Sequence, residues 1–243
     1  MIKNKSNTAY IHSVETAGMV DGPGIRYIVF FQGCALRCKY CHNPDTWKLI
    51  GGVEMTVNEL MSDISRYRSF MRFSGGGVTI TGGEPFMQPE FLLELLVCLK
   101  EAGLHTALDT SGYTGPDNAR KALENTDLLL LDIKTVNPET YRKITGARID
   151  ASLRMLEFAK ELLVPTWIRF VLVPGLTDNM EHLEQMRDYL KGFDNIQKIE
   201  VLPFHKMGEY KWEDLGINYE LKDTLSPTYE DLAKVQSLFN LSK

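Results

Sequence analysis

The chain lacks a run of about 18 apolar residues, the length a membrane span needs; its apolar runs are short, such as Ile28-Val29-Phe30-Phe31 and Leu128-Leu129-Leu130-Leu131. No membrane partner is expected. The start, Met1-Ile2-Lys3-Asn4-Lys5, is basic but has no apolar stretch behind it, so no secretory signal is expected. The expected compartment is the cytoplasm, where thiols stay reduced. An excess of basic charge is also missing: 27 Lys and Arg stand against 32 Asp and Glu, which argues against a nucleic-acid partner. No low-complexity stretch or linker rich in Gly, Ser or Pro divides the 243 residues, so a single domain over 1–243 is expected. Cysteine is scarce, with four in all, and a disulfide framework is a poor reading in a reducing compartment.

What is present is concentrated. Cys34, Cys38 and Cys41 fall within eight residues, while Cys98 stands alone. Three thiols on one short segment point to a metal or cluster site. Structural zinc wants four protein ligands, and no fourth is near. A [4Fe–4S] cluster on three cysteines leaves one iron open, which suits catalysis.

Six near-continuous apolar runs read as strands over 25–31, 77–81, 104–109, 128–133, 166–173 and 196–204. Such runs mark parallel strands covered on both faces. Helices fall between them. Thr56 with Glu59 reads as a capping box opening a helix with Val57, Leu60, Met61, Ile64, Tyr67 and Met71 on one face. Pro89 and Gly103 bracket a second. A third follows Pro116, a fourth runs over 151–163, Asp178 and Glu181 open a fifth, and Ser226-Pro227 the last. The expected fold class is α/β: a partial (β/α)6 barrel of parallel strands, open at one side, with its active site at the strand carboxyl ends.

The unusual residues fall at those ends. Gly33-Cys34 follows the first predicted strand, Gly82-Gly83-Glu84-Pro85 the second and Asp109-Thr110-Ser111-Gly112 the third. Asp132 and Lys134 end the fourth, Pro174-Gly175 the fifth, which carries Arg169, and His205 the sixth. Six clusters at one end of the strands argue for an enzyme.

Cys-x3-Cys-x2-Cys with Tyr40 before the last cysteine resembles the radical S-adenosylmethionine (SAM) family, and Gly82-Gly83-Glu84 matches that family's glycine-rich motif. Asp21-Gly22-Pro23-Gly24-Ile25-Arg26, Phe31-Gln32-Gly33-Cys34 and Tyr40-Cys41-His42-Asn43 narrow the resemblance to the glycyl-radical-enzyme activases. Leu202-Pro203-Phe204-His205, Gly208, Lys211-Trp212 and Gly75-Gly76-Gly77-Val78 extend it over essentially the whole chain. Many activases carry inserted cysteine clusters, but none lies between Asn43 and Thr81 here, which favours pyruvate formate-lyase as the glycyl-radical partner.

The resemblance implies that Cys34, Cys38 and Cys41 ligate three irons of a [4Fe–4S] cluster and that SAM chelates the fourth. Reductive cleavage of SAM would give a 5′-deoxyadenosyl radical that takes hydrogen from a partner glycine. Tyr40 and His42 would contact adenine. Gly82, Gly83 and Glu84 would let the backbone approach the methionyl end. Lys134 would neutralise the SAM carboxylate, His205 would reach ribose or methionine, and Asp109, Asp132 and Arg169 would complete the cofactor pocket. A monovalent cation at Asp109, Thr110 and Asp132 would relieve the charge of two neighbouring aspartates. Asp21 and Arg26 would grip the backbone of the incoming glycine segment. Reduced flavodoxin or ferredoxin is the implied electron donor, and a monomer suffices.

Other residues have plainer readings. Cys98, among Leu95, Leu96 and Leu99, reads as a small buried hydrophobe. His12 and His182 read as solvated, His105 as packed beside the third strand, and Trp47 and Trp212 as core or partner-facing. Gly75-Gly76-Gly77 precedes a strand and does not open a helix, so it is no phosphate loop. Two other functions remain open on the residues alone: a radical SAM enzyme acting on a small molecule, and a zinc- or cluster-binding protein without catalysis.

Overall fold

Six parallel strands form where the six apolar runs were read. A computed structural model describes residues 8–239, so the basic segment Met1-Ile2-Lys3-Asn4-Lys5 lies outside the described residues. The strands are β1 (Thr8–Gly18), β2 (Arg26–Phe31), β3 (Val53–Thr56), β4 (Gly77–Gly82), β5 (Thr106–Thr110), β6 (Leu128–Asp132), β7 (Thr166–Leu172) and β8 (Ile196–Pro203). They form one sheet in the order β3-β1-β2-β4-β5-β6-β7-β8, with β3 and β8 as its two edges, so the sheet is open. From β2 to β8 every neighbouring pair is parallel.

β1 and β3 were not expected. They add two antiparallel strands outside β2. β1 escapes a search for apolar runs because only Ala9, Ile11 and Gly18 of its eleven residues are buried. Ser13, Val14 and Glu15 in its middle are exposed, as an antiparallel strand with one wet face allows.

The helices are α1 (Val57–Ser65), α2 (Arg68–Ser74), α3 (Pro89–Glu101), α4 (Pro116–Leu123), α5 (Pro138–Thr145), α6 (Asp150–Glu161), α7 (Met180–Leu190), α8 (Glu209–Asp214) and α9 (Tyr229–Leu238). Thr56 and Glu59 form the capping box read from the sequence. The helix it opens is two helices: the chain leaves the α-conformation at Tyr67, whose ring packs on Tyr27 at 5.5 Å. The openings of α7 and α9 lie elsewhere than expected. Asn179, not Asp178, caps α7 by accepting from His182 N–H, while Asp178 takes the N–H of Gly175. Thr228 with Asp231, not Ser226-Pro227, opens α9. On α3, Leu92, Leu95, Leu96 and Leu99 are fully buried against the sheet; each such side chain contributes roughly 1.5–3 kcal/mol. The glycine run before β4 serves close packing: a Cβ on Gly76 would stand 1.9 Å from Ile25 O.

Parallel strands put all their carboxyl ends on one side. Register then lines up distant residues, with Asp132 opposite Arg169 and Arg169 opposite Glu200.

Candidate active site

The cysteine segment leaves β2 and is fastened on every side. Gly33 N–H donates to Thr46 O, closing the loop. Gln32, buried beneath it, donates to the carbonyls of Asp45 and Lys48. The N–H groups of Arg37 and Lys39 dock on the carbonyls of Thr145 and Ile144 at the end of α5. The Arg37 guanidinium donates to Cys34 O at 2.8 Å, and the Trp212 indole to Cys41 O at 2.9 Å. Lys211 spans Asn43 at 2.9 Å and Asp45 at 3.0 Å, and Asp45 also meets His12 at 3.0 Å. Burial works against the Asp45 carboxylate, but Lys211 and His12 together hold its pKa below the usual value. His12, read as solvated, is therefore half-buried and paired. Tyr40 lies in a second apolar cluster with Ile144, Phe204, Trp212 and Tyr219, which supports the loop from beneath.

All three thiols open on one cavity of about 330 Å³, bordered by Tyr40, Gly82, Gly83, Asp109, Asp132 and Lys134 among others. That lies within the usual range of ligand sites, about 300–1,000 Å³. Burial pushes the Cys34 and Cys41 thiols up to about 12, with Glu84 adding to the effect on Cys34 and Cys38 to that on Cys41; Cys38 is raised too. The thiols thus keep their protons until a strongly Lewis-acidic group displaces them.

The glycine loop after β4 is locked to β5 by Glu84. This side chain is 1 % exposed. It accepts from Thr110 Oγ1 at 2.6 Å, Ser111 N at 3.0 Å, Ser111 Oγ at 2.5 Å and Phe86 N at 3.3 Å. Burial pushes its pKa up, and the four donors work against that. The Glu84 side chain, read as a cofactor contact, is thus turned to the neighbouring loop and is not among the residues that border the cavity. Gly83 sits where only glycine fits, since a Cβ there would stand 2.2 Å from Gly33 O.

Two cations, each paired with acids, form the polar wall. Lys134 Nζ donates to Asp132 at 2.9 Å and lies 5.7 Å from the Tyr40 ring centre. Burial would lower the Lys134 pKa, but Asp132 and the other groups around it raise it well above the usual value. Arg169 Nη1 donates to Asp109 at 3.0 Å and Asp21 at 3.2 Å, with Glu200 at 3.8 Å from its Nε. Asp109 also accepts from Thr81, and burial, opposed by Arg169, lifts its carboxyl to about 6. The charge of the two aspartates is thus compensated within the protein. Thr110 Oγ1, expected to face a cation, is turned to Glu84.

Arg26 and His205 are placed differently from their reading. Arg26 is fully buried, and its donors go to Thr79 Oγ1 at 2.9 Å and Val78 O at 2.6 Å, with His105 Nδ1 at 3.1 Å. It is the first residue of β2, at the amino end, remote from the carboxyl-end cavity, so it is not free to grip an incoming segment. Thr79 in turn donates to Asp21 O, so Arg26 steadies the turn that carries Asp21 to the cavity. His205 stacks on His42 at 4.2 Å, and its carbonyl accepts from His42 Nε2 at 3.1 Å; it backs His42 and is not among the residues that border the cavity. His105 is paired to Arg26, as its reading beside the third predicted strand allows.

The donor set fits the cofactors implied above. Among the described residues, no three His, Cys, Asp or Glu side chains stand so as to share a single metal ion. A cubane asks for something else, one thiolate on each of three irons, and three thiols on one cavity supply that. Tyr40 Oη and Arg169 Nε are buried polar atoms that make no hydrogen bond, and both residues border the cavity, as a site built for a polar ligand would leave them.

The radical SAM superfamily model matches residues 28–190, and the chain belongs to that superfamily. Within it, the chain is 46 % identical to the pyruvate formate-lyase-activating enzyme of Clostridium pasteurianum over 93 % of this chain and 94 % of that one. It is 42 % identical to the protein of the same name from Listeria monocytogenes, over 96 % of each. Among solved structures, a radical SAM methyltransferase from Sphaerobacter thermophilus superposes with a TM-score of 0.63 at 14 % identity, covering 88 % of this chain and 63 % of that one, which shows the shared fold.

Proposed function

We propose that this chain activates pyruvate formate-lyase by installing a glycyl radical in it under anaerobic conditions. The observation that carries the reading is the single cavity onto which Cys34, Cys38 and Cys41 open beside Gly82, Gly83 and the Lys134–Asp132 pair. When bound, the [4Fe–4S] cluster and SAM supply a 5′-deoxyadenosyl radical able to take hydrogen from a glycine α-carbon. The protein supplies position and exclusion of water. Cys34, Cys38 and Cys41 hold three irons. Lys134, already charged and buried, meets the SAM carboxylate. The backbone at Gly82 and Gly83 and the rings of Tyr40 and His42 frame the rest of SAM. Asp21, held by Arg169, offers a carboxylate at the mouth of the cavity to the N–H groups of the incoming glycine segment. The chain works as one domain in the cytoplasm, as a monomer, with flavodoxin or ferredoxin as donor. Among the described residues, no helix is long and apolar enough to cross a membrane.

The test is low-temperature electron paramagnetic resonance on anaerobically reconstituted, reduced protein. A [4Fe–4S]⁺ signal that changes shape on adding SAM, followed by a glycyl-radical doublet when pyruvate formate-lyase is added, is the expected result. A signal indifferent to SAM refutes the reading.

A further inference from the structure

A second cavity, of about 190 Å³, lies on the outer side of the cysteine loop, bordered by Arg37, Asp45, Trp47, Lys48, Leu215 and Ile217. Trp47 borders both cavities and packs beside Cys41 against the apolar cluster beneath the loop. Trp47 is the residue that the two cavities have in common. Elsewhere the thiols are backed by the sheet and by the segment that carries Phe204, Trp212 and Tyr219.

The chemistry of the outer face is distinct. Arg37 and Lys48 are exposed, and the Arg37 guanidinium lies 4.9 Å from the centre of the Trp47 ring. The acid at this face, Asp45, is already shared by His12 and Lys211. The face is therefore cationic on a chain whose net charge is −5. It is also apolar: Leu215 and Ile217 border the cavity, and Leu49 and Ile50, next to Lys48, are 57 % and 70 % exposed. Exposed aliphatic groups with a basic rim mark a surface for a transient protein partner.

The reading of function above, on which this inference rests, consumes one electron per SAM cleaved. The cysteines do not hold a second redox centre to supply it: three of the four face the thiol cavity, and Cys98 lies alone on α3. We propose that the Trp47 face is the docking site of a small acidic electron-carrier protein, which passes one electron inward past the indole. The carrier is oxidised by one electron, as when a flavin hydroquinone becomes a semiquinone and releases a proton, and the cluster held by the three thiols is reduced by one. Asp21 borders the thiol cavity and not this one, so the glycine-bearing partner and the carrier are received at different openings.

The experiment compares wild-type protein with Lys48→Glu and Ile217→Asp, and with Lys121→Glu on α4 as a charge-matched control. Oxidised flavodoxin is titrated calorimetrically at low and high salt, and cluster reduction by flavodoxin hydroquinone or by dithionite is followed in stopped flow. We expect both face variants to bind flavodoxin about tenfold more weakly and to be reduced by it about tenfold more slowly at low salt. Reduction by dithionite and the behaviour of Lys121→Glu stay at wild-type values. Wild-type binding and reduction in both face variants, an equal loss with dithionite, or an equal loss in Lys121→Glu overturns the proposal. Failure of the wild-type protein to cleave SAM with dithionite sinks the functional reading instead, and the flavodoxin titration still reads the docking face by itself.

Discussion

Glu84 offers a test of the site's architecture that needs no cofactor. Its carboxylate is the one acceptor shared by the glycine loop after β4 and the loop after β5. Replacing it with Ala strands four donors. The hydroxyls of Thr110 and Ser111 can rotate to other acceptors; the N–H groups of Ser111 and Phe86 cannot. An unsatisfied buried N–H costs about 1–3 kcal/mol. Two of them, less the relief of removing a buried charge, put the loss near 3 kcal/mol. A chain of this length loses about 2–4 °C of melting temperature per kcal/mol, so the metal-free Glu84→Ala variant should melt about 6–12 °C below wild type. Glu84→Gln keeps one oxygen for Ser111 N–H and sets an amide against Phe86 N–H, the longest of the four bonds, so its loss should be near 1 kcal/mol. Circular dichroism melts of the apoproteins decide it. An Ala variant within about 1 °C of wild type, or a Gln variant less stable than Ala, would show that the four hydrogen bonds do not brace the loops as argued.

Three further outcomes follow from the same geometry. Lys134→Met removes the buried ammonium proposed to meet the SAM carboxylate, and truncating one partner of a desolvated charge pair across a binding interface costs about 2–5 kcal/mol, so SAM affinity of the reconstituted protein should fall at least thirtyfold in equilibrium titration; an unchanged affinity refutes the role. In metal-free protein the Cys34 and Cys41 thiols, raised to about 12, should be alkylated by iodoacetamide at pH 8 far more slowly than glutathione, with a rate rising about tenfold per pH unit up to pH 10, read by peptide mass spectrometry. Asp109 has a folded-state pKa near 6, above its unfolded value, so it contributes stability at low pH that is lost as pH rises from about 4 to 6; the stability of wild type relative to Asp109→Asn should decline across that window in urea titrations, and a rising difference refutes the shift.

The expected site residues that the structure gathers around one cavity are those set by local spacing at a strand end. The three thiols, Gly82-Gly83 and the Asp132–Lys134 pair each lie within a few residues of a parallel strand's carboxyl terminus, and parallel pairing alone brings them together. Arg26 shows what such reading misses. Motif proximity to Cys34 drew it to the cleft, yet it is the first residue of β2, and the strand's rise of about 3.3 Å per residue carries the carboxyl end well over 10 Å away. Counting along the strand would have placed it at the opposite end. Glu84 is a different case: nothing in Gly-Gly-Glu says whether the acid's side chain turns to the cavity or to the neighbouring loop, and the decision comes from Thr110 and Ser111, more than twenty-five residues away. β1 was hidden because one of its faces is wet, and period-2 burial with so few apolar residues resembles a loop.

The clamps on the cysteine loop were the least legible and bear most on how the site works. His12 on β1, Thr145 at the end of α5, and Lys211 and Trp212 on α8 come from three separate regions of the chain, and each grips the loop between Cys34 and Asp45. No spacing rule links them. A small zinc module gets its fold from the metal, because ligand binding free energy is there the folding free energy. Here the loop is tied to a large apolar core by hydrogen bonds that involve no thiol side chain, so its fold does not rest on metal ligation alone. The same clamps also bear on Trp47, whose ring is held edge-on by Trp212 at 5.0 Å. A loop fixed in this way keeps the thiol cavity and the outer face in constant relation while partners come and go on either side.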